Sequence, residues 1–349
     1  MFEAETLIEN AVQLVMPSPT ALVAEQVKQA TADRADLFLT GVMMGGGPDQ
    51  WAVEAHLRQG LAVYATPDAA RTFDDDLKRV ESMGVRIVDA PTAANGARRI
   101  QMRDFYAAEL MDALRAFGVS SAFDAVAVAV FDHGAAPPGV SDRRFRFDYL
   151  REQVERGTGL AGFGFLGGEI PDRMTRMRAV ASTWAGSQPI FLMDTGPAAI
   201  LGALDDTHVG DARRPMVANL GNFHTIAALL DEQRIVGLFE HHTGELTRER
   251  LEGYLDQLAA GELSNQAVFD DMGHGALELG PPSQPPELFA ITGPRRGLLD
   301  GSRLRPHLAV PHGDMMLAGC FGLLRGLAVR LPELAPAIEE QLGPRLMRI

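Results

Sequence analysis

Apolar runs of strand length alternate along the first half of the chain with stretches in which apolar residues recur at helical spacing. The strand-like runs are residues 10–16, 35–42, 61–65, 84–88, 124–131 and 188–194. Helical spacing marks residues 19–32, 48–58, 67–82, 102–117 and 195–206. This alternation predicts a mostly parallel sheet with helices on its faces, and therefore an α/β fold.

Three more closely spaced apolar runs follow in the second half. They are residues 216–219, 225–230 and 235–240, and tight polar turns separate them. Runs of this length and spacing predict a three-stranded meander. Gly221 and Asn222 lie in its first bend, where glycine lets backbone N–H groups approach an anion.

Histidines stand at the ends of the meander strands. His224 opens the second strand, and Glu240, His241 and His242 end the third. Because side chains alternate along a strand, His241 and His242 face opposite sides, and one of them shares a face with His224. His224, Glu240 and His242 are candidate catalytic residues that position a metal or transfer a proton, and His224 and His241 are candidate metal ligands. The alternative is that these histidines only hydrogen-bond to the backbone.

A second polar pair follows the apolar run at 124–131. Asp132 and His133 come directly after it. Ligands of open α/β sheets bind beyond the carboxyl ends of the strands, so both residues are candidate metal ligands. The alternative is a solvated turn.

Length and composition add domain and partner expectations. A chain of 349 residues is longer than one core usually serves, and the polar stretch 207–214 is the best linker, which predicts domains at 1–205 and 206–349. A net charge of −14 disfavours nucleic acid as a partner. The sequence shows neither a signal peptide nor an apolar run near the roughly 20 residues that span a bilayer, so we expect a cytoplasmic protein with no membrane partner.

Three segments occur in the order found in the actin-like ATPase superfamily, which includes sugar kinases and heat-shock ATPases. TGPAAILGALDD (195–206) resembles its connecting helix, PMVANLGNFHTIAALL (215–230) its second phosphate loop, and FAITGPRRG (289–297) the strand and turn that hold adenosine. The resemblance implies a two-domain, ribonuclease H-like fold with mixed sheets, and ATP or ADP with Mg²⁺ in the cleft between the domains. The implied cofactor-binding residues are Asn219, Gly221, Asn222, Thr225, Gly293, Pro294 and Arg295.

Two departures from that pattern bear on hydrolysis of ATP more than on its binding. The superfamily has an Asp-x-Gly hairpin, the first phosphate loop, ahead of the strand that here occupies residues 10–16, so we expect this chain to lack that loop. Asn219 stands where the superfamily has an aspartate, and its amide brings no negative charge to hold Mg²⁺.

Short motifs along nearly the whole chain resemble one family of uncharacterised proteins, often labelled "putative pyruvate formate-lyase activating protein". They include LTGVMMGGGP (39–48), FDHGAAPPG (131–139), FEHHTGEL (239–246) and PHGDMML (311–317). A radical S-adenosylmethionine enzyme needs three clustered cysteines for its iron–sulfur cluster, whereas this chain has only Cys320. We therefore reject radical chemistry and expect no iron–sulfur cluster.

Three function classes follow, and the sequence leaves open whether the chain is an enzyme. The first is binding of a nucleotide or phosphorylated small molecule between the domains, with ATP-dependent phosphotransfer or an activator role. The second is non-catalytic sensing of a nucleotide or metabolite for a protein partner. The third is a metal-dependent hydrolase that uses the histidines and a divalent transition metal.

Overall fold

The structure is a computed structural model that describes residues 1–3, 6–89, 96–120, 122–277 and 284–343. The strands are β1 (Leu37–Gly41), β2 (Val63–Ala65), β3 (Val85–Ile87), β4 (Arg98–Met102), β5 (Val126–Ala129), β6 (Gly164–Leu166), β7 (Ile190–Met193), β8 (Pro215–Leu220), β9 (His224–Asp231), β10 (Arg234–His242), β11 (Gly275–Ala276), β12 (Leu288–Thr292) and β13 (His307–Leu308). The α-helices are α1 (Pro19–Ala32), α2 (Pro48–Arg58), α3 (Pro67–Ala70), α4 (Leu77–Ser82), α5 (Ala107–Ala116), α6 (Asp142–Glu155), α7 (Thr175–Ser182), α8 (Thr195–Ala203), α9 (Thr207–Asp211), α10 (Arg248–Ala260), α11 (Asn265–Asp270), α12 (Ala318–Arg330) and α13 (Ala335–Leu342). The α/β class predicted from the sequence is confirmed.

The chain forms two compact units. The larger unit comprises Met1–Gln13, Ala125–Ile170 and Ile190–Ile349, and the smaller unit comprises Leu14–Asp124 and Pro171–Pro189. Residues 205 and 206, where the sequence predicted a domain boundary, lie inside the larger unit between α8 and α9.

The smaller unit is built on a parallel sheet in the order β3-β2-β1-β4. Its core contains Val27, Leu39, Val53 and Ile100, all fully or almost fully buried. Strands covered on both faces read as continuous apolar runs, which is why β1 was evident in the sequence. After β1 the chain passes through three glycines, residues 45–47, and enters α2.

The larger unit contains two sheets. The six-stranded sheet has the order β11-β10-β9-β8-β12-β13, and the three-stranded sheet has the order β5-β7-β6. Strands β8, β9 and β10 pair antiparallel, which confirms the predicted meander, and β12 runs parallel to β8. Leu251, Leu255 and Leu258 of α10 pack with Phe239 of β10 in the core of this unit.

Helices α8 and α12 cross with their backbones in contact. A Cβ on Gly202 would lie 1.7 Å from the carbonyl oxygen of Ala318, and one on Gly322 would lie 1.9 Å from that of Ala198. Only glycine fits at these two positions, which lets the two helix backbones approach this closely. The contact holds Asp194, the N-cap of α8, in a fixed place in the larger unit.

Some sequence-based expectations for individual elements are wrong. The apolar run at 10–16 is not a strand. Its first residue is the last residue of a 3₁₀ helix (Ile8–Asn10), the rest forms neither helix nor strand, and Val15 is 95% exposed. An apolar run becomes a strand only where a neighbour supplies backbone partners. Part of the predicted linker at 207–214 is helix α9, capped by Asp206. The unbroken run of small and β-branched residues at 124–131 is typical of a fully buried strand, but β5 is only half-buried because it lies at a sheet edge.

No single helix among the described residues is long and apolar enough to cross a membrane. The pair Met315–Arg330 and Pro332–Leu342 reaches that length and composition only when its two bent parts are taken together.

Candidate functional site

Four histidines from four segments of the larger unit lie together, and we call them the histidine cluster. His133 follows β5, His224 opens β9, His242 ends β10, and His274 precedes β11. The rings of His242 and His274 have centroids 4.6 Å apart, and each of these rings has its centroid 5.1 Å from that of His224. The centroid of the His133 ring lies 5.4 Å from that of His224 and 6.0 Å from that of His274.

Strand register explains how the meander contributes to the cluster. His242 is the direct cross-strand partner of His224. Glu240, two residues before His242, shares its face, whereas His241 points to the opposite face. The backbone N–H of His274 donates to the carbonyl oxygen of Glu240 over 2.9 Å, which holds the fourth histidine beside the same strand.

Three of the histidines place ligand atoms close enough to share an ion. One ring nitrogen each from His133, His224 and His274 lies within 4.8 Å of the others. Nε2 of His224 and both ring nitrogens of His274 are buried, and no hydrogen-bond partner reaches them from the described residues. Because nearly all buried polar groups in native proteins are paired, these nitrogens are a marked exception.

Burial also determines the protonation state of these rings. Desolvation, followed by the neighbouring histidines, lowers the pKa of both His224 and His274 well below the ordinary value. Both rings are therefore neutral near pH 7. Metal ions bind neutral imidazole, so no proton has to be displaced from either ring.

His242 has one ring nitrogen committed to the backbone. Its Nδ1 lies 2.9 Å from the carbonyl oxygen of Met272, and because a carbonyl only accepts, Nδ1 carries the proton. Nε2 of His242 is then an acceptor. A histidine held in this way suits either metal ligation or proton transfer.

A buried ion network lies directly beside the cluster. Arg146 of α6 donates to both carboxylate oxygens of Glu240, over 3.1 and 2.9 Å, and to Asp194 over 2.5 Å. One guanidinium faces two carboxylates here. Burial raises the pKa of Asp194 against the attraction of Arg146. The positive charge of Arg146 also contributes to the lowered pKa of His224 and His274.

The network and the cluster are joined by an aromatic ring. Phe131 stacks on His224 with centroids 4.0 Å apart, and the Arg146 guanidinium carbon lies 4.5 Å from the Phe131 centroid on the ring face. Nδ1 of His274 lies 3.9 Å from Glu240, beyond hydrogen-bond distance. Phe131 thus links the ring of His224 to Arg146 and its carboxylate partners.

The structure places the other predicted metal ligands away from the three-nitrogen group. Asp132 is buried, its Oδ1 accepts from the N–H of Gly134 over 2.8 Å, and its carbonyl oxygen accepts from Arg146. His241 lies across the sheet, with Nδ1 bonded to the His242 carbonyl oxygen. Neither residue belongs to the three-nitrogen group.

The residues predicted to hold a nucleotide form two adjacent turns. Thr292 at the end of β12 pairs with Asn219 of β8, and the N–H of Arg295 donates to the carbonyl oxygen of Leu220 over 2.9 Å. A Cβ on Gly293 would lie 2.7 Å from the Asn219 side-chain oxygen. These contacts bring Gly221, Asn222, Gly293, Pro294 and Arg295 into one region. Thr225 differs, because it is buried and its hydroxyl contacts that of Thr243 at 3.0 Å.

Sequence reasoning missed His274, Arg146 and Asp194. The signal for His274 was the triplet Gly273-His274-Gly275. A Cβ on Gly273 would lie 2.5 Å from the His241 ring, and one on Gly275 would lie 2.3 Å from the side-chain oxygen of Asn265, so both glycines are required beside the histidine.

The cluster lies within the part of the chain that matches a known family. The family described as "Putative pyruvate format-lyase activating enzyme (DUF1786)" matches residues 44–298. That segment contains the four histidines together with Arg146, Asp194 and Glu240. No curated protein matches the chain.

Proposed function

The chain belongs to that family, as its motifs predicted, and we propose that it is a metal-dependent enzyme of the hydrolase type whose centre is the histidine cluster. One observation carries the proposal. Buried ring nitrogens of His224 and His274 have no partner among the described residues, and a divalent transition metal is the partner that neutral imidazole takes.

The donor set fits such an ion. Three imidazole ligands leave a coordination position for water or substrate, which is typical of catalytic rather than structural zinc sites. Metal–nitrogen bonds of about 2 Å place tetrahedral ligands about 3.3 Å apart, so binding would draw the three rings inward. A bound ion would supply Lewis-acid activation of water. Nε2 of His242 would accept the proton, and Arg146 would hold Glu240 and the stacked Phe131 in place.

Metal binding by matched variants tests the proposal. We expect the chelator-treated protein to bind one Zn²⁺ or Co²⁺ per chain by calorimetry, and His274→Ala to weaken that binding at least a hundredfold. His208→Ala is the control, because His208, with Asp206 and His307, belongs to a second group whose ligand atoms approach one another. The proposal fails if the wild type binds neither ion, or if His208→Ala loses the ion while His274→Ala keeps it.

Binding of a nucleotide or phosphorylated ligand is the second candidate function. The adjacency of the Gly221 and Gly293 turns supports it, since this is the placement that the actin-like resemblance implies for the second phosphate loop and the adenosine turn. Asn219 and the buried Thr225 hydroxyl do not form an acidic magnesium site, so the candidate is binding without a hydrolytic step. Such binding would serve either substrate recognition or signalling to a protein partner.

A thermal-shift titration with ATP and ADP, each with and without Mg²⁺, separates the two candidates. A ligand at a hundredfold excess over its dissociation constant stabilises the native state by about 2.7 kcal/mol. A shift with nucleotide that Gly293→Val removes would support the second candidate. A shift with Zn²⁺ or Co²⁺ and none with nucleotide would leave only the metal centre.

A further inference from the structure

A cavity of about 200 Å³ lies in the larger unit and contains none of the clustered histidines. It is bounded by the carboxyl end of α6, the glycine-rich segment 157–162, the end of α8 and the end of α12. The sequence of segment 157–162 contains no motif with an assigned function. What the cavity holds is therefore a separate question from the metal centre.

The first polar group of the cavity is an unsatisfied amide. Gln153 is 1% exposed, lines the cavity, and has a side-chain Nε2 for which the described residues offer no hydrogen-bond partner. A buried donor without an acceptor is costly, so native proteins rarely retain one. An acceptor atom of a ligand in the cavity would satisfy it.

The second polar group is a cation. Arg156 lies one helical turn beyond Gln153 and also lines the cavity. Arg330, which lines the cavity too, donates to Glu169 and to the Gly164 carbonyl oxygen. For the Arg156 guanidinium, by contrast, no ion pair or hydrogen bond occurs within the described ranges. In a chain with 46 acidic and 32 basic residues, an unpaired arginine beside a cavity favours an anionic ligand.

The apolar wall of the cavity and its volume indicate the size and polarity of the remaining part of the ligand. Leu160, Leu201, Leu204 and Phe165 give the cavity buried apolar sides. A dry cavity of about 150 Å³ in another protein accepts benzene, so about 200 Å³ accepts a ring of that size with one substituent. We propose that this cavity binds a small aromatic carboxylate, with the carboxylate at Gln153 and Arg156 and the ring against the leucines.

Calorimetry on the chelator-treated protein tests the proposal independently of the metal centre. The probes are benzoate, benzyl alcohol and benzylamine, which keep the ring and change the charge. We expect benzoate to bind at one site per chain, and the alcohol and the amine to bind at least tenfold more weakly. Absence of benzoate binding, or equal binding of all three probes, would overturn the proposal.

Variants locate the site. Arg156→Gln changes an exposed side chain and should leave the fold intact while weakening benzoate binding at least tenfold. Leu204→Trp should block binding by filling the cavity, and a circular dichroism spectrum checks that it folds. Arg58→Gln, an exposed arginine of the smaller unit, is the matched control and should bind as the wild type does. Benzoate binding that is unchanged in Arg156→Gln places the ligand elsewhere and contradicts the assignment.

Discussion

Two polar clusters in this protein occupy similar places in their units but differ in how their hydrogen bonds are satisfied. In the smaller unit, the Asp104 cluster consists of Gly45, Asp104 and Arg176. The N–H of Gly45 donates to both Asp104 oxygens over 3.2 and 3.1 Å, and Arg176 donates to the same two oxygens over 2.9 and 2.7 Å. In the histidine cluster of the larger unit, buried nitrogens of His224 and His274 have no such partners.

The comparison teaches that a polar residue after a strand is weak evidence for a ligand site. Both clusters follow strands and both lie next to glycines, so their sequence signals are alike. The Asp104 cluster supplies its own counter-charge and donors, which makes a structural role sufficient. The histidine cluster lacks acceptor and donor partners for its most buried ring, which makes a structural role insufficient.

The largest expected effect concerns Asp49, one of several residues of the smaller unit with a buried polar atom that lacks a partner among the described residues. Asp49 is buried, its Oδ2 lacks a partner among the described residues, and desolvation raises its pKa from 3.8 to about 7. The folded state then holds a proton that the unfolded state releases, so stability is lost as pH rises from about 4 to about 7, by up to about 4 kcal/mol. Asp49→Asn should be more stable than the wild type at pH 8 and equal to it near pH 4.

Urea unfolding at several pH values measures this difference in the free energy of unfolding. The contributions of the other titrating groups are the same in both proteins and cancel. If the difference in the free energy of unfolding between variant and wild type does not change with pH, Asp49 is ionised in the folded protein. The smaller unit would then contain an unsatisfied charge of its own, and the comparison would fail.

The next effect concerns the satisfied cluster itself. Asp104→Ala should destabilise the protein by about 2–3 kcal/mol, because the Arg176 guanidinium and the Gly45 N–H both lose the hydrogen bonds that Asp104 accepts. Asp68→Ala is the control, since Asp68 forms an exposed pair with Arg71 and its loss should cost under about 1 kcal/mol. Equal losses in the two variants, by thermal or urea unfolding, would mean that the Asp104 cluster is not a stabilising network.

The smallest effect concerns the unsatisfied cluster without metal. His274→Gln keeps most of the buried side-chain volume and removes no hydrogen bond of a ring nitrogen, so the chelated variant should be within about 1 kcal/mol of the wild type. It should also lose the stabilisation that Zn²⁺ gives the wild type, about 2.7 kcal/mol at a hundredfold excess over the dissociation constant. A loss above about 3 kcal/mol in the chelated state would instead assign His274 a structural role and remove the contrast between the clusters.

The sequence predicted the parts of the fold and of the site that depend on local pattern. The three meander strands were predicted within about two residues of their observed ends, because alternation and turns are encoded locally. Helix α6 was missed because its residues, RRFRFDYLREQ, are mostly charged. Arg146 is nevertheless buried, because its partners Asp194 and Glu240 come from 48 and 94 residues away. Pairing over such distances leaves no periodic signal, whereas His274 was marked only by the glycines on either side of it.

The four histidines enter the cluster from segments as distant as β5 and β11, and this determines when the site can form. In small zinc modules, ligands within a short loop let the metal nucleate folding. Here only His224 and His242 come together in a single hairpin; His274 joins when β11 pairs with β10, and His133 joins when the sheet of β5 packs beside the six-stranded sheet. The ion would therefore load into a finished fold, and refolding of the larger unit should proceed at the same rate with or without it.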